Sequence, residues 1–542
     1  DELLGELGKI DSVAWAHHAM AAEGFDPTEE THLTRTMRSY HTMGPVFMTS
    51  GLLKKFRGSY AEAANKEALK PLPVRRVAGS EFVAAKVLPW DADDALLGLY
   101  GIKGELWISD ASAKHATRSL PTPHPGGKVS LVMSAGNNES ISLVDTLDRL
   151  FGAGEVVMIK AHDIRASIAF MEQIFAPLIR DGFVAICEGG LAVSQALVAH
   201  PKVGHVHVTG GVATANAIIW GPPDEQAARK QMGTPVLLKS ITTELGNISP
   251  IIVASGGDWS DSDLKYQASH CAASHAWQNS CNCLAPKLII LGESWVHRAR
   301  FEALIREELA NTHEYPPYYP GTQDRYRRFA EAYPHAEYFS AGPGVRPPAS
   351  GVWTAAPNNR EIGAPTKYML LSIDGASAEP DEYCLRNEAF ANVLTLVTLP
   401  DASPKAFLDA AADFCNTKVW GTLKATVIMH PSLTSAQPEL EDRVCANLKY
   451  GMVGINCTGY ISYAGFTTVW GGYPGEALDT LQSGQGFIKN TLMVDNIQKA
   501  VVKAPFRCTM HTLREKEFLF SPELSAALAP VMAKPTSITR VG

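Results

Sequence analysis

Between residues 128 and 219, four short apolar runs alternate with four helical stretches, and few folds accept that order. The runs are 128–133, 155–160, 183–186 and 204–211. The stretches read as helices are 141–151, 164–179, 192–199 and 212–219. Strands and helices alternating at this spacing make βαβ crossovers, hence an open, doubly wound parallel sheet of the α/β class. Such sheets take ligands in the crevice beyond the carboxyl ends of their strands. No G-x-G-x-x-G follows any of these strands. The available anion site is Thr209-Gly210-Gly211, which opens the last helix, where free N–H groups and the helix dipole favour a phosphate.

One such unit does not use up the chain. At 542 residues, two or three domains are expected, and 46% apolar against 19% charged residues supplies their cores. Residues 1 to about 70 read as helical, with helices at 14–22 and 60–69. His17 and His18 read there as surface or packing residues, and no metal site is expected. Residues 80–110 carry short, irregular strand-like runs, and 121–127 is a Pro/Gly loop. Beyond 235 come strands at 235–239 and 249–253, a helix at 295–309, loops at 314–321 and 342–351, and a strand ending near 397. A helix at 404–414 and strands at 421–429 and 453–457 complete a second α/β unit over about 245–470.

The net charge of −8 argues against a nucleic-acid or anionic-membrane partner. No apolar run reaches the roughly 18–20 residues of a membrane span. Nine cysteines, an odd number without framework spacing, read as reduced thiols, and a cytoplasmic location is expected. The chain begins at Asp1 rather than Met, so removal of a leader or tag is part of that expectation.

The chemistry concentrates in two places. Cys281-Asn-Cys283-Leu-Ala-Pro286 stands just ahead of the apolar run 288–291, and Glu244 lies upstream in Glu244-Leu-Gly-Asn-Ile-Ser-Pro250. A thiolate can add to a carbonyl carbon, and a carboxylate can then activate water. Half a zinc site is the competing reading of the two cysteines, but no second Cys/His pair with suitable spacing follows.

The order of motifs over about 125–475 resembles the aldehyde dehydrogenase superfamily, as a divergent member. Asn137 in Ala135-Gly-Asn-Asn-Glu139 takes the place of the family's oxyanion asparagine. Lys160 and Asp163 stand where the family grips the adenosine ribose. Val208-Thr-Gly-Gly211 is similar to the turn beside the pyrophosphate, and Glu244-Leu-Gly to the general-base motif. Glu388-Ala-Phe-Ala-Asn-Val393 resembles the turn whose Glu holds the nicotinamide ribose, with Phe390 near the ring. Asn416 to Leu423, and Ile455-Asn-Cys457 with Trp470-Gly-Gly-Tyr-Pro-Gly475, resemble the later family stretches. Cys283 fits the nucleophile, with Cys281 as the alternative. The family's Gly-Gln before the cysteine is replaced by Ser280-Cys281, and its second motif glycine by Asn247.

The resemblance implies a Rossmann-type cofactor domain at 1–107 and 128–244, and a catalytic domain at 245–475. It further implies a small β oligomerisation flap with the C-terminal tail at 108–127 and 476–542, the flap joining a neighbour's sheet in a homodimer or homotetramer. The implied activity is NAD-dependent oxidation of an aldehyde to an acid, with NADP as the alternative cofactor. Asp163 would favour NAD by repelling a 2′-phosphate. A CoA-acylating dehydrogenase or acyl reductase, and a catalytically silent scaffold, are the competing functions.

Overall fold

The alternating run closes into a five-stranded parallel sheet. Its spatial order is Val184–Cys187, Val156–Lys160, Val129–Met133, Val203–Thr209, Ser240–Glu244. In chain order that is third, second, first, fourth, fifth. The direction of winding therefore switches between Val129–Met133 and Val203–Thr209, opening a crevice at their carboxyl ends. Leu131, Val132, Ile159 and Val206 are fully buried between sheet and helices. The structure, a computed structural model, describes residues 1–542 except 67, 111, 123, 163, 165–167, 345, 347, 349, 357–359, 458, 509–520 and 535–542.

The second sheet has twelve strands. Seven run parallel, in the order Tyr368–Asp374, Val393–Leu399, Leu288–Gly292, Pro250–Val253, Lys424–Ile428, Met452–Ile455, Ile497–Lys503. Every residue of Pro250–Val253, Leu288–Gly292, Lys424–Ile428 and Met452–Ile455 is buried. Strands covered on both faces need such near-continuous apolar runs rather than alternation. Glu337–Phe339 adds antiparallel at one edge. Lys103–Ile108, Val83–Leu88, Leu72–Arg76 and His115–Ala116 add antiparallel at the other.

This sheet is wider than 245–475. The irregular runs at 80–110 are two of its strands, Val83–Leu88 and Lys103–Ile108. The strand Ile497–Lys503, within the 476–542 read as flap and C-terminal tail, pairs with Met452–Ile455, Ala500 opposite Met452. Ala500, Val501 and Val502 are completely buried there, so apolar burial on both faces holds the strand in place.

The N-terminal region is helical, but its main element is one helix, His32–Lys66, of 35 residues. Gly44, Pro45 and Gly51 lie inside it, residue types that by local preference interrupt helices. Tertiary packing overrides them: the helix lies against Ser12–Ala22, Glu139–Leu147 and Pro522–Met532, and most of its middle is buried. The helices Pro223–Met232 and Thr322–Ala332 are further elements; the first has Pro223 at its start, acidic residues in its first turn and left-handed Gly233 at its end. No described helix is long and apolar enough to cross a membrane.

Candidate active site

The two sheets meet at one cavity of about 370 Å³. Glu244 is the last residue of its strand, and the chain passes from there through Leu245–Ser249 into the larger sheet. Asn137 lies in the turn after Val129–Met133, where Asn138 caps the helix Glu139–Leu147 by accepting the Ser140 N–H. Thr209 ends its strand, and Gly211 caps Val212–Trp220 without using a side chain, leaving backbone N–H groups free at the helix start. Cys283 comes from the turn before Leu288–Gly292. Glu388 and Phe390 come from the turn before Val393–Leu399, where Phe390 holds the left-handed φ of +44°.

Eight of the ten site residues read from the sequence line this cavity: Asn137, Thr209, Gly210, Gly211, Glu244, Cys283, Glu388 and Phe390. Lys160 does not. It ends Val156–Lys160, buried, opposite Cys187 of the next strand. Asp163 lies outside the described residues.

The structure separates the two cysteines. Cys283 is partly exposed and reaches the cavity, with its thiol 3.7 Å from Glu244 Oε1. Cys281 is fully buried and its thiol donates to the Phe390 carbonyl at 3.4 Å. Burial pushes the Cys283 thiol well above its ordinary pKa, and the Glu244 carboxylate adds to that. Glu244 is raised to about 7, first by burial and then by repulsion from Asp145. A carboxylate poised near neutrality next to a thiol is suited to take and return a proton. Asn137 Nδ2 presently donates to the Cys281 carbonyl at 3.3 Å, which brings its amide to the cysteine turn.

The departures from the family pattern have local compensation. Asn247 is fully buried, and its amide donates to Ser249 Oγ at 2.9 Å and to the Lys424 carbonyl at 2.8 Å. Gly246 has a steric reason: a Cβ there would sit 2.1 Å from Glu388 Oε2. Glu388 is ion-paired with Lys287 at 3.2 Å, and Lys287 also donates to the Asn282 carbonyl at 2.6 Å. One lysine thus ties the cysteine turn to the Glu388 turn.

Sequence reading missed the wall formed by Tyr319, Arg325, Arg328, Tyr383 and Arg386. The Arg325 guanidinium packs on Phe390 and Tyr319, 5.7 and 6.0 Å from the ring centres. Arg325 and Arg328 sit on the helix Thr322–Ala332, Tyr319 in the loop before it and Tyr383 and Arg386 on the short helix Tyr383–Arg386, and no motif in the sequence marks them. Trp420 also lines the cavity and stands within the resembling stretch Asn416 to Leu423. Among the described residues, no group of His, Cys, Asp and Glu is arranged to hold a metal ion.

A crevice at the switch point of a parallel sheet thus faces a thiol–carboxylate pair at the edge of a second α/β sheet. The aldehyde dehydrogenase family model matches residues 149–317. The chain is similar in fold to an aldehyde dehydrogenase of Mycobacterium tuberculosis solved with NAD+, at 15% identity and TM-score 0.57, covering 94% of this chain and 85% of that one. It is also similar to aldehyde dehydrogenase 21 of Physcomitrella patens, solved with succinate, at 14% identity and TM-score 0.56, covering 92% and 84%. A cysteine-to-alanine variant of aldehyde dehydrogenase C of Pseudomonas syringae, solved with NAD+ and octanal, gives 16% identity and TM-score 0.55, covering 93% and 84%. No curated protein sequence matches the chain. The fold of the chain is thus that of the aldehyde dehydrogenases, and the family model matches within it.

Proposed function

We propose that the protein oxidises an aldehyde to a carboxylic acid with NAD as hydride acceptor, through a covalent adduct on Cys283. The observation that carries this reading is the Cys283–Glu244 pair, 3.7 Å apart, in the same cavity as Asn137 and the Thr209–Gly211 turn. The cavity residues fit a dinucleotide. A Cβ on Gly210 or Gly211 would meet nothing within 4 Å, so a phosphate has room beside the helix start. Glu388 Oε1 accepts no hydrogen bond despite its ion pair, leaving an acceptor for a ribose hydroxyl. Phe390 and Trp420 supply apolar wall for a ring. Lys160 and Asp163 would hold the adenosine ribose, with NADP the less favoured cofactor. When bound, the dinucleotide supplies the hydride acceptor.

The chain's own residues account for the other steps. Glu244 takes the proton of the Cys283 thiol. The thiolate adds to the aldehyde carbon, and the carbonyl electrons move to oxygen. The Asn137 side-chain amide and the Cys283 backbone N–H stabilise that oxyanion. After oxidation the carbon is held as a thioester. Glu244, its first proton released to solvent, then removes a proton from water, whose oxygen attacks the thioester carbon. The C–S bond breaks, the acid leaves, and Cys283 is restored as the thiol.

NADH formation by the purified protein, with NAD and a panel of short, long and aromatic aldehydes, with and without CoA, tests this. Absorbance at the NADH band without CoA supports the hydrolytic reaction. A signal only with CoA replaces it with acyl transfer to CoA. No signal in either, with NAD bound, leaves the silent scaffold.

A further inference from the structure

Behind the cysteine turn lies a charged cluster that the proposed chemistry does not use. Glu23 follows the helix Ser12–Ala22, His41 sits within His32–Lys66, and Glu139 opens Glu139–Leu147. His41 Nε2 lies 3.4 Å from Glu23 Oε1, and Nδ1 lies 3.3 Å from Glu139 Oε2. All three side chains are buried, Glu23 completely. Ionisable groups withdrawn from water in this way are tolerated only when they hold one another.

The cluster is linked to the nucleophile by hydrogen bonds. Gln278 Nε2 donates to Glu23 Oε1 at 2.8 Å, and Asn282 Nδ2 donates to Gln278 Oε1 at 2.9 Å. Asn282 Oδ1 in turn accepts the Leu284 N–H at 2.8 Å, so the residues on both sides of Cys283 are fixed. The turn needs such an anchor. Gln278, Asn279 and Ser280 have φ of +52°, +56° and +56°, and all three are fully buried. Consecutive non-glycine residues do not keep this left-handed conformation by local preference; the surroundings must impose it. Trp277, packed against Tyr40 at 5.0 Å and Tyr315 at 6.3 Å, fixes where the turn begins.

We propose that Glu23, held by His41, anchors the cysteine turn through Gln278, setting the Cys283 thiol into the cavity and keeping the Cys281 thiol out of it. Glu23, His41 and Gln278 are positioning residues, none of which touches the reacting atoms. The proposal rests on Cys283 being the nucleophile of the reaction above. It gives the N-terminal helices, which contribute nothing to the cavity wall, a role in the chemistry.

Two variants test it. Glu23→Ala removes the anchor, and Gln278→Met removes the turn's end of the link while leaving the charged cluster whole. The folded full chain is treated with limiting iodoacetamide, and adducts at Cys281 and Cys283 are resolved by fragmentation mass spectrometry. In the unmodified sequence, alkylation at Cys283 exceeds that at Cys281 by about tenfold or more, and in either variant the preference falls below about twofold. Turnover in the variants drops about tenfold, NAD affinity stays within about twofold, and the double variant is no worse than Glu23→Ala alone. Variants that keep the original labelling preference overturn the proposal, whatever their melting temperature. So does preferential labelling of Cys281 in the unmodified sequence. If Glu23→Ala does not fold, Gln278→Met decides. Labelling needs neither aldehyde nor cofactor, so a protein without NADH formation overturns the oxidation reading while the labelling ratio still judges this one.

Discussion

The two sheets of this protein are built differently. In the larger sheet the inner strands Pro250–Val253, Leu288–Gly292, Lys424–Ile428 and Met452–Ile455 are buried throughout. The five-stranded sheet is less enclosed. Ser240–Glu244 and Val184–Cys187 carry exposed or half-buried residues, and the helices Leu191–Ala199 and Pro223–Met232 have no buried residue at all. Leu191 is 74% exposed and Leu238 is 92% exposed. The difference shows where precision is stored. Cys283 and Glu388 stand on turns that lead into the enclosed sheet. Glu244 and Asn137 come from the open sheet, but from strand ends that face the enclosed one. Lys160, proposed to hold the adenosine ribose, also lies on the open sheet.

Five measurements can break or sharpen that contrast. The largest effect expected is Cys283→Ala, which reduces NADH formation to background while NAD still binds in a fluorescence titration. Cys281→Ala keeps most of the rate, because that thiol does not face the cavity. Asn137→Ala lowers kcat by about 10²–10³-fold, the usual loss of one oxyanion donor. Steady-state kinetics showing a change in KM alone would deny it that role.

Stability should divide between the sheets in the same way. Ile290→Ala, at a fully buried site in the central strand Leu288–Gly292, costs about 2–5 kcal/mol in urea unfolding. Leu191→Ala, on the open sheet, changes it by less than about 0.5 kcal/mol. Equal losses would remove the distinction.

The charged cluster behind the cysteine turn adds a pH dependence. Burial alone would lower the His41 pKa, but the facing carboxylates of Glu23 and Glu139 outweigh it and raise it to about 9 from 6.5. The folded state therefore holds a proton that the unfolded state releases between those values. This contribution is fully present below about pH 6.5 and is lost as pH rises through about 9. It amounts to about 3 kcal/mol, and unfolding midpoints across that range check it. In His41→Gln the profile flattens. A second pH dependence concerns Glu244, whose carboxylate form is the base. Below about 7 that form is lost, so the hydrolytic rate falls about tenfold per pH unit, and Glu244→Gln removes the dependence along with the rate.

Much of the site could be read before any coordinates, because its parts are short collinear motifs whose residue types the chemistry requires. Glu244-Leu-Gly, the Glu388 turn and Thr209-Gly-Gly211 are of this kind, and the cavity unites them. Cys281 and Cys283 could be ranked only by resemblance, and burial separates them physically. The wall with Arg325, Arg328 and Arg386 was invisible. A polar residue on an amphipathic helix looks the same whether it faces solvent or a cavity.

The sequence by itself determined the α/β class, the switch-point crevice and the residues at the ends of its strands. Strand–helix alternation and local turn chemistry depend only on neighbours in the chain. Only the tertiary structure decided that Ile497–Lys503 joins its own chain's sheet, and that His32–Lys66 stays one helix across Gly44 and Pro45. It alone decided that Glu23, His41 and Glu139 meet behind a turn more than two hundred residues from His41. Those outcomes depend on pairing and burial between segments far apart in sequence. No local preference encodes them, and in the turn 278–280 the fold holds a conformation that local preference opposes.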